Sequence, residues 1–456
     1  MHSGLACLLG LTSLALTNAL SLEKKDSPAV LTVPLVRDTS RQLSKRSKTA
    51  DLGLDNEDVS YISYVANMTF GTPPQHFLAY LNTWGNGCWL HGVEDSPCEL
   101  YLNRSLCGGY GGYNLSASTT AKKLDERFVY DDSGSMVGGD VVTDVLKIAG
   151  VKVDVMKMGI AMDSGITSNH LGLGYGNASS TSLTQALADA GVISSPAFSL
   201  WGQTALFGGV NKAKYNGSLH TFPIVNGSNL TKAFRINMDG ISINETSAAS
   251  KEFPLDAVFD TALGMTYVPK SVAQALNAQI GNTSVPDEWG QVNFSCSSMS
   301  LESTVEFKFG DLEFKFFLGQ FVSQEPHTAP DYGWYPDRAT CYFTILENLH
   351  YRSEGSIVLG STFMSNAYTV FDLENDEISL ARLDYGSPTP DDIVEIKSGK
   401  NAVPDAKDAV PDAKDAVPDA KDAVPDAKKD SAGSHIGVAL GMSALVVGAA
   451  GLTLIS

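Results

Sequence analysis

Two stretches of this chain end an apolar run on an Asx-Thr pair. Phe77-Leu78-Ala79-Tyr80-Leu81 leads into Asn82-Thr83, and Leu255-Asp256-Ala257-Val258-Phe259 leads into Asp260-Thr261. The repeated pattern predicts two related halves that bring the Asx side chains face to face. Two carboxylates placed this way would share one proton, because like charges at close range cannot both ionise. One would act as base on a water while the other donates to the carbonyl under attack. Here one of the two is an amide. Asn82 exchanges no proton at ordinary pH and can only donate or accept hydrogen bonds. Asp260 is left without an acid partner, and the expectation is that it stays ionised and accepts a hydrogen bond from the Asn82 amide.

The elements that must position these loops are mostly strands. Alternating apolar and polar residues recur in Tyr61–Phe70, Phe128–Tyr130, Gly138–Ile148, Val305–Phe309 and Leu312–Phe317, separated by Gly, Asn and Asp clusters. Helical spacing is confined to Ser182–Ala190 and Ser271–Ile280. The globular body is placed at 61–385, divided into an N-terminal lobe over 61–235 and a C-terminal lobe over 236–385. A net charge of -19 argues against nucleic acid, which needs clustered Lys and Arg. The histidines are scattered, and no spacing suggests a metal site. The chain is read as a monomer that needs no cofactor and takes a peptide or protein ligand.

The ends have a different character. Residues 1–19 are apolar and finish on Thr17-Asn18-Ala19, as a signal peptide does, with a membrane helix as the alternative. Residues 20–46 end on the dibasic Lys45-Arg46 and are expected to be a pro-segment or a disordered linker. Residues 386–430 carry Ala402-Val403-Pro404-Asp405-Ala406-Lys407-Asp408 and its repeats. Each repeat contains a proline and only one branched apolar residue, which excludes a continuous helix and predicts a structureless stalk. Residues 431–456 read as a GPI-attachment signal with Ser431 favoured as the attachment residue, or as a C-terminal membrane anchor. Ten Asn-x-Ser/Thr sequons, at Asn67, Asn103, Asn114, Asn177, Asn216, Asn226, Asn229, Asn244, Asn282 and Asn293, fit a secreted glycoprotein. Of 6 cysteines, Cys7 lies in the leader, Cys98 and Cys107 are close enough to close a small loop, Cys296 and Cys341 could close a longer one, and Cys88 is expected to be a buried free thiol.

Further motifs carry a family resemblance. They are Gly71-Thr72-Pro73-Pro74-Gln75, Trp89, Tyr130-Asp131-Asp132-Ser133-Gly134 with Gly138, Leu171-Gly172-Leu173-Gly174, Ile357-Val358-Leu359-Gly360-Ser361-Thr362-Phe363 and Tyr368 to Glu374. From about Tyr61 to Leu383 the chain resembles the pepsin-type aspartic peptidases. With its leader, dibasic site and tail it most resembles their GPI-anchored fungal yapsin group. The resemblance implies an all-β, bilobal fold, a cleft between two β-rich lobes, and a flap hairpin over the cleft. It gives Tyr130 as the flap tyrosine and Trp89 as the tryptophan packed beneath the flap. Thr83 and Thr261 become the pair that ties the loops together across the lobes, and the catalytic positions fall at Asn82 and Asp260. The loops depart from the family's Asp-Thr-Gly pattern, with Trp84 and Gly85 after the first pair and Ala262 and Leu263 after the second. The expected outcome is a proteolytically inactive, surface-tethered pseudopeptidase. An active endopeptidase with a remodelled site and a non-catalytic wall glycoprotein or adhesin are the alternatives.

Overall fold

The computed structural model describes residues 29–36 and 64–408, apart from 86, 94–109, 133–134, 165–167, 177–180, 226–231, 282–285, 287–289, 296–302, 326–339, 350–354 and 386–389. Strands dominate, as the alternation predicts. The two helical patterns become Leu183–Asp189, capped by Ser182, and Lys270–Gln279, which buries Val272, Ala273 and Leu276.

The largest sheet has fourteen strands and runs through both halves of the chain. Within it, Ala197–Trp201 pairs with Thr204–Phe207 on one side and with Ala367–Asp372 on the other. The N-terminal lobe is the far end of this sheet, where Lys122–Asp132, Ser135–Ile148 and Val151–Ser164 form a long meander. The C-terminal lobe adds a five-stranded sheet around Leu255–Phe259 and a four-stranded sheet around Thr304–Phe309. Its interior is aromatic: Phe363 lies within 6.3 Å, centroid to centroid, of Phe259, Phe307, Phe309, Phe314 and Phe316.

The two site loops are supported in the same way. Gln75–Asn82 runs parallel to Asn169–Gly172, with Asn82 opposite Gly172. Leu255–Phe259 runs parallel to Ile357–Leu359, and Asp260 N donates to Leu359 O at 3.0 Å. Each supporting strand then pairs antiparallel with a third, Trp89 opposite His170 in one lobe and Tyr267 opposite Val358 in the other. The repeated geometry makes Gly172 equivalent to Gly360, and His170 equivalent to Val358. Both glycines are required by close backbone approach. A Cβ on Gly172 would sit 2.7 Å from Gly85 O, and one on Gly360 would sit 2.0 Å from Met265 O.

One sequence boundary is corrected, and one terminal segment gains structure. The expected pro-segment, 20–46, is not wholly linker-like. Leu31–Val36 is a strand between Thr204–Phe207 and Val65–Phe70, joining the central sheet to the N-terminal lobe and burying Leu31 and Val33. The expected stalk, 386–430, begins inside the body. Ile393–Glu395 pairs with Gly209–Asn211, and Ala406–Asp408 pairs with Tyr215–Pro223. Val403, from the first repeat, is 5% exposed. A sequence poor in branched apolar residues still docks where one valine fills a preformed apolar site. Residues 1–19, Lys45-Arg46 and Ser431 lie outside the described residues. Among the described residues, no helix is long and apolar enough to cross a membrane.

Candidate active site

Asn82, Thr83, Asp260 and Thr261 are all buried at the junction of the lobes. The threonines make a reciprocal clasp. Thr83 N donates to Thr261 Oγ1 and Thr261 N to Thr83 Oγ1, each at 3.0 Å. The Thr83 hydroxyl donates to Phe259 O at 2.7 Å, and the Thr261 hydroxyl donates to Leu81 O. Each threonine therefore satisfies backbone groups of the opposite lobe. Thr261→Val keeps the shape but leaves Thr83 N and Leu81 O unpaired in a dry interface. It is expected to lower stability by roughly 2 kcal/mol in urea unfolding, since an orphaned buried polar group costs about 1–3 kcal/mol.

The Asx side chains keep part of the two-fold relation. Trp84 N donates to Asn82 Oδ1 and Ala262 N donates to Asp260 Oδ1, both at 2.9 Å. Gly85 N adds a second bond to Asn82 Oδ1 at 2.9 Å. Backbone N–H groups only donate, so these contacts fix which end of the Asn82 amide is oxygen. Its Nδ2 must face the other way. There it lies 3.2 Å from Tyr130 Oη and 2.9 Å from His170 Nδ1. The amide is saturated: the oxygen accepts two bonds and both protons are spent. None is left for Asp260, so the hydrogen bond expected between the two Asx residues is absent.

His170 is the functional residue that sequence reasoning missed. It is 4% exposed and stacks on Trp89, with centroids 4.9 Å apart and planes 10° from parallel. Tyr80 stacks on it at 5.8 Å and Tyr130 tilts towards it at 6.4 Å. Because Asn82 Nδ2 can only donate, His170 Nδ1 is the acceptor and the ring proton sits on Nε2. That proton faces Ser168 Oγ at 2.9 Å. The imidazole is thus held in its neutral form by a chain running Gly85–Asn82–His170–Ser168. The signal lay in Ser168-Asn169-His170-Leu171-Gly172: a titratable ring in a buried strand, where the opposite lobe carries Val358.

The other sequence-predicted residues fall as follows. Tyr130 lies on the hairpin formed by Lys122–Asp132 and Ser135–Ile148, opposite Val137, and its hydroxyl accepts from Asn82. Trp89 is buried beneath it, at 6.3 Å between centroids. Trp84 is half-buried, and φ there is not positive, so the missing loop glycine leaves no left-handed backbone strain. Gly85 acquires a second role: a Cβ there would meet Asn82 Nδ2 at 3.0 Å and Tyr130 Oη at 3.4 Å.

A profile of the eukaryotic aspartyl proteases matches residues 63–383. The chain belongs to this family. It is 31% identical to the probable aspartic-type endopeptidase opsB of Aspergillus oryzae, over 89% of this chain and 86% of that protein. It is 27% identical to aspartic proteinase yapsin-3 of Saccharomyces cerevisiae, over 76% and 70% of the two chains. It is 28% identical to secreted aspartic protease 8 of Candida albicans, over 75% and 80%. The expected kinship with fungal, yapsin-like aspartic proteases therefore holds. So does the all-β pepsin-like fold.

Cys88 is a buried free thiol, its pKa pushed up to about 12 by burial. Cys341 is disulfide-bonded. Cys296, its expected partner, lies just past a strand whose Ser295 pairs with Thr340, but outside the described residues. Cys98 and Cys107 also lie outside them. Of the sequons, Asn67, Asn216, Asn244 and Asn293 are exposed and Asn114 is half-buried. Asn103, Asn177, Asn226, Asn229 and Asn282 fall outside the described residues.

Proposed function

We propose that this chain is a secreted, surface-tethered member of the aspartyl protease family that binds extended peptide in its cleft without cutting it. The observation that carries this reading is the saturated Asn82 amide. Asn82, the counterpart of Asp260 in the other lobe, neither gives nor takes a proton, and its amide protons go to Tyr130 and His170. Losing a matched proton-transfer partner costs on the order of 10²–10⁴-fold in rate. The intact threonine clasp supports a preserved cleft, and a cleft beneath a hairpin accepts a peptide by strand pairing. Secretion draws on the apolar leader, the exposed sequons and the disulfide at Cys341. Tethering draws on the repeat region and the apolar run Ile436–Ile455, read as a GPI signal or an anchor.

The test is a peptide-library cleavage assay on the glycosylated chain from acidic to neutral pH, with calorimetric titration of a statine-containing peptide. The expected result is measurable binding and no turnover. Turnover that disappears in Asp260→Ala would overturn the reading and favour the endopeptidase activity named for the relatives. Neither binding nor turnover would leave a wall glycoprotein that uses only its outer surface.

A further inference from the structure

The first heptapeptide repeat is part of the folded body, and this has consequences for the repeats that follow. Val403 is buried beside Tyr215, Tyr368, Val370, Ala381 and Ile396. Pro404-Asp405 turns the chain, with Asp405 at φ 59° and its carboxylate 2.6 Å from Lys212 Nζ. Ala406–Asp408 then adds to the sheet as its last strand, parallel to Leu219-His220-Thr221. All the docking chemistry comes from one valine, one Pro-Asp turn and one backbone segment.

Each of those features recurs. Ala-Val-Pro-Asp-Ala-Lys-Asp occupies 402–408, 409–415 and 416–422, and 423–429 differs only in ending on Lys. Val410, Val417 and Val424 stand where Val403 stands, and Asp412, Asp419 and Asp426 stand where Asp405 stands. The residue before each copy adopts φ 53° in the docked one, where it is Asn401. In the later copies it is Asp408, Asp415 or Asp422, and Asp is among the few non-glycine residues that enter the left-handed region readily. The body therefore has little with which to tell one copy from another. Docking a later copy only lengthens the loop from Ser398, and loop-closure cost grows slowly with length.

We propose that the Leu219–Thr221 edge, with the apolar site under Val403, is a docking site for the repeat unit, occupied interchangeably by the four copies of the same chain. Docking of one copy excludes the others, so the free length beyond the body changes in seven-residue steps. Each step spans up to about 24 Å of extended chain. On the tethered reading above, the site sets the distance between body and anchor. The docking itself does not depend on that reading, and its test is independent of peptide binding or cleavage.

The experiment is zero-length carbodiimide coupling of Lys212 in the full chain, read by tryptic mass spectrometry. Copy one yields a peptide beginning at Asn401, whereas the later copies yield peptides beginning at Asp408, Asp415 or Asp422. The expected result is both classes coupled to Lys212. In Val403→Ser, coupling shifts to the later copies, and amide exchange at Leu219–Thr221 stays within about two-fold of the unsubstituted chain. Replacing Val403, Val410, Val417 and Val424 together abolishes coupling and speeds that exchange by at least ten-fold. Coupling confined to the Asn401 peptide, or a loss in Val403→Ser equal to that in the fourfold variant, would overturn exchange. Coupling between isotopically heavy and light chains that vanishes on dilution would assign the occupant to a second copy, against the same-chain proposal.

Discussion

Asn82→Asp is expected to leave the protein without detectable peptidase activity while turning His170 from a hydrogen-bond acceptor into a protonated imidazole that faces the new carboxylate. The new carboxylate would accept from Trp84 N and Gly85 N, as the amide oxygen does now. Its second oxygen would replace Nδ2 against His170 Nδ1 and Tyr130 Oη. An imidazole facing a carboxylate oxygen at that distance gains by becoming protonated, and the Tyr130 hydroxyl can turn to donate. The introduced carboxylate would then be ringed by donors and an adjacent cation, which hold its pKa below the ordinary carboxylate range. A dyad needs one member protonated at working pH. Here the proton would go to His170 instead. Asn82→Asp/His170→Val removes the competing base and installs the residue type that the opposite lobe carries at Val358. Hydrolysis is expected to emerge in the double variant, on the order of 10² above the single one. An imidazole titration followed by NMR and the cleavage assay check both parts. Turnover by Asn82→Asp alone, or an unmoved His170 titration, would refute the role given to His170.

His170 also shows where sequence reading stops. The dyad positions were legible because an apolar strand followed by Asx-Thr occurs twice, and the flap and the Leu-Gly-Leu-Gly strand lie in recognisable local patterns. His170 sits within one of those patterns, and its signal there is slight: a titratable ring in a buried strand where the opposite lobe carries Val358. Its meaning depends on Asn82, 88 residues away, and on the Trp89 ring beneath it. Nothing along the chain marks a polar residue in a buried strand as partnered. Leu31–Val36 and the first repeat were missed for a related reason. Each carries one or two buried apolar side chains, too few to stand out locally, and each is held by strands distant in sequence: Thr204–Phe207 for the first, Leu219–Thr221 for the second. Short strands at such separations owe their structure to the sheet already present. The first loop is the converse case. Gly85 reads as a lost hydroxyl in sequence, whereas in the structure its missing Cβ makes room for the Asn82 amide. The residues that end the acid chemistry at this position also build a packed alternative to it.

Asp144→Ala is expected to lower the stability of the protein by about 4 kcal/mol, because hydrogen bonds to a buried charged group contribute roughly 1.5–3 kcal/mol each and only some of the donors can find new partners. Asp144 is 2% exposed and accepts four bonds: Tyr113 Oη at 2.6 Å, Ser118 Oγ at 2.6 Å, Thr120 Oγ1 at 2.5 Å and Val145 N at 2.8 Å. The same hydroxyls hold the Gly71-Thr72-Pro73-Pro74 turn. Ser118 Oγ accepts from Thr72 N at 2.9 Å, and the Thr72 and Thr120 hydroxyls lie 2.9 Å apart. Gly71, at φ 96°, lets the turn close over them, since a Cβ there would lie 3.1 Å from Ser118 Oγ and 3.2 Å from Asp144 Oδ2. The carboxylate therefore anchors the turn from which the strand to Asn82 departs. Burial pushes its pKa up, but the bonds from Ser118, Thr120, Tyr113 and Val145 outweigh burial and hold it below the ordinary value. A depressed folded-state pKa stabilises the fold at pH above the unfolded value of about 3.9, and that stabilisation is lost as pH falls through the folded value. Urea unfolding of the native chain and of Asp144→Asn should thus differ by a constant amount at pH 5–7, as expected well above a carboxylate pKa of about 3.9. The gap should close towards pH 3, near and below that value. A gap that widens on acidification would show that the carboxylate is held protonated, and would remove Asp144 as the charged anchor of the turn.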